Sequence, residues 1–316
     1  MNEKDSTVVK NFALIGAAGY IAPRHMQAIR DTGNHLVAVV DPADSVGILD
    51  RYFLDVRYFP EIERFDRHLE KLRHGPDETA IQYVSICSPN YLHDAHVRLA
   101  LRSGCEAICE KPLVINPWNL DQLSQVEAET GGKVNTIMQL RLHPSLTRLR
   151  EKLIEERARS PLAPKHNVVL KYITGRGPWY QLSWKGREER SGGLVTNIGI
   201  HFFDMLIWLF GDVQHLTVTS RNCLETGGEL ELTYANVSWY LSVDFKSLPF
   251  TARPGETTTY RSISIDGEEI EFTNGFSSLH TQSYEQILKG NGFGIEDARP
   301  AIELVHRIRT TTVQQQ

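Results

Sequence analysis

Between Phe12 and Met138, short apolar runs alternate with segments of helical periodicity, and this alternation constrains the fold more tightly than any other feature of the chain. The runs lie at 12–16 (FALIG), 36–41 (LVAVVD), 83–87 (YVSIC), 107–110 (AICE) and 134–138 (VNTIM). Segments 25–33, 91–104 and 118–132 separate them, and each ends at a glycine, as helix C-termini commonly do. Strands joined through helices run parallel, so the pattern predicts βαβ units and an α/β fold with a doubly wound parallel sheet. Across 48–78 the pattern predicts only a helix at 66–73 and a turn at Gly75-Pro76.

After Gln139 the pattern changes to a helix at 145–158, a Pro-rich link, and then short β-rich runs at 167–174, 215–221, 228–234, 237–245, 262–266 and 268–273. Strict alternation in VSWYLSVDF places Val237, Trp239, Leu241, Val243 and Phe245 on one face, the mark of a sheet with one side buried. A helix at 196–210 interrupts the strands, and helices at 282–289 and 295–309 close the chain. A length of 316 residues exceeds one ordinary domain. The expected division is a nucleotide-binding domain over 1–139 and an α+β domain over 140–316 with a large mixed, mostly antiparallel sheet.

Several function classes are disfavoured. A formal net charge of -5 opposes nucleic acid as the main partner. The four cysteines, Cys87, Cys105, Cys109 and Cys223, are too few and too irregular for a disulfide scaffold. Cys105 and Cys109 lack companions at metal-site spacing, so no metal is expected. The polar start MNEKDSTVVKNF does not read as a signal peptide. The longest apolar stretch, 202–210, is short for a membrane span and contains Asp204. A cytoplasmic protein with no membrane partner is the expectation.

The turn after the first run reads Gly16-Ala-Ala-Gly19-Tyr20-Ile21-Ala22, a glycine-bearing strand-to-helix transition where backbone N–H groups can meet a pyrophosphate. It carries one residue more than GxGxxG, and a plain βα turn is the bland alternative. Asp41 ends the second run near the offset at which an acid accepts the adenosine ribose hydroxyls, and a carboxylate there opposes a 2′-phosphate, favouring NAD over NADP. Two further strand ends, Ser88-Pro89-Asn90 and Glu110-Lys111-Pro112, fall where such sheets bind ligands.

Pro112 biases Lys111 towards extended backbone, presenting an amine that acts as general base once neutral. Downstream, Asn197, His201 and Asp204 share one face of a helix whose other side is apolar. That stripe either meets a substrate or holds a histidine satisfied by Asp204. Between Lys171 and Arg190, the cations Lys171, Arg176, Lys185, Arg187 and Arg190 surround Trp179, Tyr180 and Trp184, offering charge to a phosphate or carboxylate and rings to a sugar or base. Arg141 and His143, at the domain junction, are candidates to join them. A solvated charged loop is the competing account.

Together the glycine turn with Asp41, Ser88-Pro89-Asn90 with His93, Glu110-Lys111-Pro112 and the Gly192–Asp204 segment resemble the glucose-fructose oxidoreductase / inositol dehydrogenase (Gfo/Idh/MocA) family, in order over nearly the whole chain. The resemblance implies a Rossmann domain with NAD as cofactor and catalytic roles for Lys111 and His201 beside the hydroxyl being oxidised. Where the family often carries aspartate, this chain has Asn197, so Lys111 becomes the better proton acceptor. The implied cofactor contacts are Gly16, Gly19, Tyr20, Ile21, Asp41, Ser88, Asn90, His93, Glu110, Lys111 and Gln139. Those implied for substrate are Lys111, Arg141, His143, Lys171, Arg176, Trp184, Lys185, Asn197 and His201.

Within the family, residues 16–25, Gln139–Pro144 and Tyr172–Gly193 are most similar to the UDP-N-acetyl-glucosaminuronate 3-dehydrogenases of bacterial surface-polysaccharide (O-antigen) synthesis. That likeness implies oxidation of the sugar C3 hydroxyl to a ketone, recycling of NADH by 2-oxoglutarate, and a homotetramer. Two rivals stand beside it: a dehydrogenase of a free polyol or aldose, which the basic aromatic segment disfavours, and a non-catalytic NAD or sugar-nucleotide sensor, which Lys111 with His201 disfavours.

Overall fold

The structure, a computed structural model, describes residues 8–251, 256–270 and 278–314. Its first half runs β1 (Asn11–Ile15), α1 (Ala22–Asp31), β2 (His35–Val40), β3 (Arg57–Phe59), α2 (Ile62–Arg73), β4 (Tyr83–Ile86), α3 (His93–Arg102), β5 (Glu106–Cys109), α4 (Trp118–Thr130) and β6 (Val134–Thr136). The six strands are parallel in the order β3-β2-β1-β4-β5-β6. The order reverses between β1 and β4, which sets the topological switch point beyond their carboxyl ends. Such strands are covered on both faces, so Phe12, Ala13 and Leu14 are wholly buried and every residue of β4 is buried. The strand β3 was not legible in sequence: it is three residues at the sheet edge, with only Phe59 buried.

The chain continues with α5 (Pro144–Arg159), β7 (His166–Thr174), α6 (Trp179–Leu182), α7 (Glu188–Ser191), α8 (Ile200–Phe210), β8 (Val213–Arg221), β9 (Glu225–Leu232), β10 (Ala235–Ser242), β11 (Thr259–Ile265), β12 (Glu268–Glu269), α9 (Leu279–Leu288) and α10 (Ile295–Thr310). The second sheet runs β12-β11-β7-β10-β9-β8, with β7 and β10 parallel and every other neighbouring pair antiparallel. Val237, Trp239 and Leu241 are buried on the side that receives α8, where Phe203 meets Trp239 edge-on at 5.2 Å. Gly199 permits that approach, because a Cβ there would lie 2.6 Å from Leu241 Cδ1. The strand stops at Ser242, so Phe245, expected on the same face, sits in a turn and is 43% exposed. Of the run expected at 268–273, β12 covers Glu268–Glu269 and residues 271–273 lie outside the described residues.

The chain forms two compact units that interleave in sequence, unlike the single division expected at 139. The first comprises Met1–Glu110, Asp121–Ile137 and His280–Ile295; the second comprises Lys111–Leu120, Met138–Leu279 and Glu296–Gln316. The first unit's core joins Phe12, Leu14, Met26, Ile29 and Val39 to Tyr284 and Ile287 of α9. In the second unit, Glu188–Phe210 is long and apolar enough by composition to cross a membrane, but most of it is buried against the sheet as a core helix.

Candidate active site

In the first unit the glycine turn has the geometry a dinucleotide needs. Gly16 adopts φ +92, and a Cβ there would stand 2.7 Å from the Cys87 carbonyl carbon and 2.8 Å from the Ser88 nitrogen. Only glycine lets these two strand ends approach. At α1, Ile21 occupies the N-cap without a side-chain cap and Pro23 follows in the first turn, so it is the positive end of the helix dipole that the glycine turn presents to an anion. Tyr20 is exposed beside them. Asp41 braces the turn, its Oδ2 accepting from Ala18 N at 2.9 Å and its Oδ1 from Ala43 N at 2.9 Å. A cradle that a Cβ would fill, the positive end of a helix dipole and an acid at the second strand end fit NAD.

The strand end after β4 is held from behind. His93, buried, donates from Nε2 to the Ser88 carbonyl at 2.8 Å, and Ser88 Oγ lies 2.9 Å from His96 Nδ1. Burial, reinforced by the neighbouring His93, pushes His96 down to about 4. His93 therefore shapes the loop that carries Ser88 and the buried Asn90. Glu110, expected at the cofactor, instead turns its carboxylate inward, where Oε1 lies 2.9 Å from both His25 Nε2 and His280 Nε2. Although burial opposes the charge, the two imidazole partners hold Glu110 well below the usual carboxylate range.

The second unit brings Lys111, Asn197 and Tyr180 together. Lys111, past the end of β5 and joined to Pro112 by a cis peptide bond, donates from Nζ to the main-chain oxygen of Asn197 at 3.0 Å. Asn197 lies in a π-helical turn, Val195–Gly199, that precedes α8. Such turns displace a carbonyl from the α-helical ladder and recur at functional sites. Asn197 Nδ2 donates to the hydroxyl of Tyr180 at 2.8 Å. Tyr180 is buried, which raises its pKa and keeps it protonated. One helical turn on, His201 Nε2 lies 3.4 Å from Gln139 Nε2, so Gln139, expected at the cofactor, meets the histidine.

Beside these residues a cleft is lined by Arg176, Gly177, Pro178, Tyr180, Gln181, Leu224 and Val243. Lys185 Nζ lies 5.5 Å from the Trp179 ring and 5.6 Å from the Trp184 ring. Burial first and the Arg176 charge second lower its pKa. Two cations brought this close, one of them partly desolvated, attract an anion more strongly than solvated lysines do.

Three expected substrate contacts have other placements. Arg141 is gripped by Asp204, with Nη2–Oδ1 at 2.6 Å and Nε–Oδ2 at 3.1 Å, and also reaches Asp297 through Nη1 at 3.3 Å. His143 is buried as the N-cap of α5, its Nδ1 accepting from Ser145 N at 3.3 Å. Lys171 lies on the sheet face opposite Tyr172, and it is Tyr172 that packs on Phe202 of α8 at 4.7 Å. The structure therefore does not bring Lys171 to His201. Asp204 serves Arg141, which removes the reading of His201 as a core histidine satisfied by Asp204. Sequence reasoning offered Tyr180 only as a ring, and it missed Asp297, His25 and His280 as partners, because each pairing spans a separation no local pattern encodes.

Comparison with known proteins accords with this geometry. Residues 10–137 match the model of the Gfo/Idh/MocA oxidoreductase family's NAD-binding Rossmann fold, and residues 166–311 match that family's C-terminal alpha/beta domain. Two crystal structures of the WlbA (WbpB) dehydrogenase from Thermus thermophilus, in complex with NAD and alpha-ketoglutarate or with NAD and UDP-GlcNAcA, are 47% identical to this chain. They cover 98% of it and 97% of their own chain, with TM-scores of 0.91 and 0.90. WlbA from Bordetella pertussis, at 17% identity and a TM-score of 0.74 over 95% of this chain and 94% of its own, shares the fold. The inositol 2-dehydrogenase of Rhizobium meliloti is 28% identical over 66% of this chain and 57% of its own length. The chain matches 35% to 57% of the length of the first curated relatives.

Proposed function

Because the chain belongs to the Gfo/Idh/MocA oxidoreductase family, we propose that it is an NAD-dependent dehydrogenase that oxidises the C3 hydroxyl of UDP-N-acetyl-glucosaminuronic acid to a ketone. The observation that carries this reading is the line Lys111–Asn197–Tyr180, which runs to a cleft edged by Arg176 and close to Lys185. The 47% identity to a dehydrogenase crystallised with NAD and UDP-GlcNAcA supports the substrate.

Bound NAD supplies the hydride acceptor, held by the Gly16–Gly19 turn, the α1 N-terminus and Asp41. A carbon gives up hydride only as its hydroxyl proton departs, so a base must approach that oxygen to about 2.6–3.2 Å. Lys111, its Nζ steadied by the Asn197 carbonyl, is that base in its neutral form. Asn197 occupies the hydroxyl of Tyr180 as a donor, which leaves the Tyr180 proton to donate to the sugar. His201, steadied by Gln139, orients the reacting hydroxyl. Arg176 and Lys185 bind the diphosphate or the uronate carboxylate through charge-assisted contacts.

NADH recycling by 2-oxoglutarate is part of the same reading, supported by the relative crystallised with alpha-ketoglutarate. So is a role in surface-polysaccharide sugar synthesis. The outer face of the second sheet, carrying the 40%-exposed Val169 with Lys171 and Glu229, is the surface we assign to homotetramer contacts. Buried free thiols at Cys87, Cys105 and Cys109 accord with a reducing cytoplasm. The test is absorbance near 340 nm on adding UDP-GlcNAcA and, separately, free polyols. Stoichiometric NADH with the nucleotide sugar and none with polyols is expected; the reverse would install the polyol reading, and silence with both the sensor.

A further inference from the structure

Five buried polar side chains in the first unit form one continuous network: Ser85 of β4, His25 of α1, Glu110 after β5, and His280 and Tyr284 of α9. The proton positions follow from the partners. The Glu110 carboxylate only accepts, so both imidazoles present Nε2–H to its Oε1, each at 2.9 Å. His25 then offers the lone pair of Nδ1 to the Tyr284 hydroxyl at 2.7 Å, and Tyr284 accepts from Ser85 Oγ at 2.6 Å. From Glu110 Oε1 through His25 and Tyr284 to Ser85 each hydrogen bond has one donor and one acceptor, while His280 Nδ1 is buried without a hydrogen-bond partner among the described residues. That path fixes the tautomer of His25, and the two N–H donors satisfy the buried Glu110 carboxylate.

The position of the network in the chain gives it a use. Glu110 is the last residue of the first unit before the chain passes to Lys111 in the second, and His280 is the residue at which the chain enters the first unit for the last time, after an earlier return over Asp121–Ile137. A hydrogen bond therefore ties a departure point of the chain to a return point. The Glu110 backbone is held as well, its N–H donating to Ile86 O at 3.0 Å. The peptide from which Lys111 extends is thus anchored through both main chain and side chain.

We propose that His280 and His25 are positioning residues for Lys111, acting through Glu110; this rests on the reading of Lys111 as the base. A base displaced by about 1 Å from its reactive position loses roughly 100-fold in rate, so an anchor one residue away has leverage on turnover. The three ligand atoms also lie within 4.8 Å of one another, close enough to suggest a metal. A single oxygen at 2.9 Å from both nitrogens is hydrogen-bond geometry, however, whereas a zinc ion would separate them with bonds of about 2.0–2.2 Å.

The test compares His280→Leu and His280→Gln, each alone and combined with Lys111→Met, in full-length protein with NAD and UDP-GlcNAcA. His280→Leu should slow single-turnover NADH formation about 10- to 100-fold while changing the Kd for NAD less than about threefold. His280→Gln, which keeps an N–H donor, should recover most of that loss. Beside Lys111→Met, His280→Leu should add nothing, since both act on one function. Amide exchange of the peptide 107–114 should rise in His280→Leu while β2 stays protected, a readout that needs no substrate. Full additivity in the double variant, slowing that merely tracks the unfolded fraction, unchanged exchange at 107–114, or stoichiometric zinc in the purified protein would each overturn the proposal. Normal hydride transfer in Lys111→Met would instead remove the base assignment, leaving the exchange result to judge the anchor.

Discussion

Lys111 Nζ and the main-chain oxygen of Asn197 are 3.0 Å apart, so the π-helical turn before α8 grips the amine through its backbone rather than through the Asn197 side chain. Substitution at Asn197 therefore leaves this contact in place, whereas substitution of Lys111 removes it together with the amine we propose as the base. Lys111→Met should spare folding and NAD binding and lower single-turnover NADH formation by roughly 10²–10⁴-fold. His201→Asn should cost less. If His201→Asn abolished transfer while Lys111→Met retained it, the two roles would be exchanged.

Arg176 edges the cleft, and burial first and the Arg176 charge second lower the pKa of Lys185. Arg176→Ala should weaken binding of UDP-GlcNAcA by roughly 1.5–3 kcal/mol, the range for a hydrogen bond to a charged group, and leave NAD binding unchanged. Titration calorimetry with each ligand checks this. Equal affinity for the nucleotide sugar in the variant would return Arg176 to the solvated loop.

Arg141 behaves differently because Asp204 and Asp297 already hold it. Its side chain is 10% exposed and that of Asp204 is 7% exposed, so removing one partner strands a buried charge at a cost of about 3–5 kcal/mol. Arg141→Met should lower the urea midpoint strongly while substrate affinity of the folded fraction stays near normal. A variant of normal stability with weakened substrate binding would restore Arg141 to the ligand.

Asp41 places a carboxylate at the end of β2 while bracing Ala18, so NADP should bind at least tenfold more weakly than NAD through repulsion of the 2′-phosphate. Fluorescence titration of both cofactors measures the ratio, and equal affinities would contradict the assignment.

His96 should make the first unit acid-labile. Its ordinary value of 6.5 falls to about 4 in the folded chain, so the unfolded state takes up its proton first. The stabilisation is complete above about pH 6.5, shrinks as pH falls, and is gone below about 4; at pH 5 roughly 2 kcal/mol of it has been lost. His25, lowered by burial, acts in the same direction. Urea unfolding of the wild type and of His96→Gln at pH 7 and pH 5 should show a smaller drop in the variant, and equal drops would exclude His96 as a source.

The local patterns of the chain determined most of the secondary structure, though not the edge strand β3 or the end of β10. Alternating runs and glycine-terminated helices specify parallel strands because side-chain burial repeats with the period of each element. Gly16, Asp41 and Lys111-Pro112 announce a nucleotide cradle and a poised amine because backbone freedom and charge are properties of those residues themselves. Tertiary structure decided which like residues do which work. Arg141 and Arg176 look equivalent in sequence, yet Asp204 and Asp297 claim the first, while the second edges a cleft. Lys171 and Lys185 look equivalent too, but strand parity turns Lys171 to the far face of its sheet. Glu110 reads as a cofactor contact until His280, 170 residues along the chain, is found beside it. Such pairings are set by where the folded chain returns to itself, and no period, cap or spacing along the sequence carries that information.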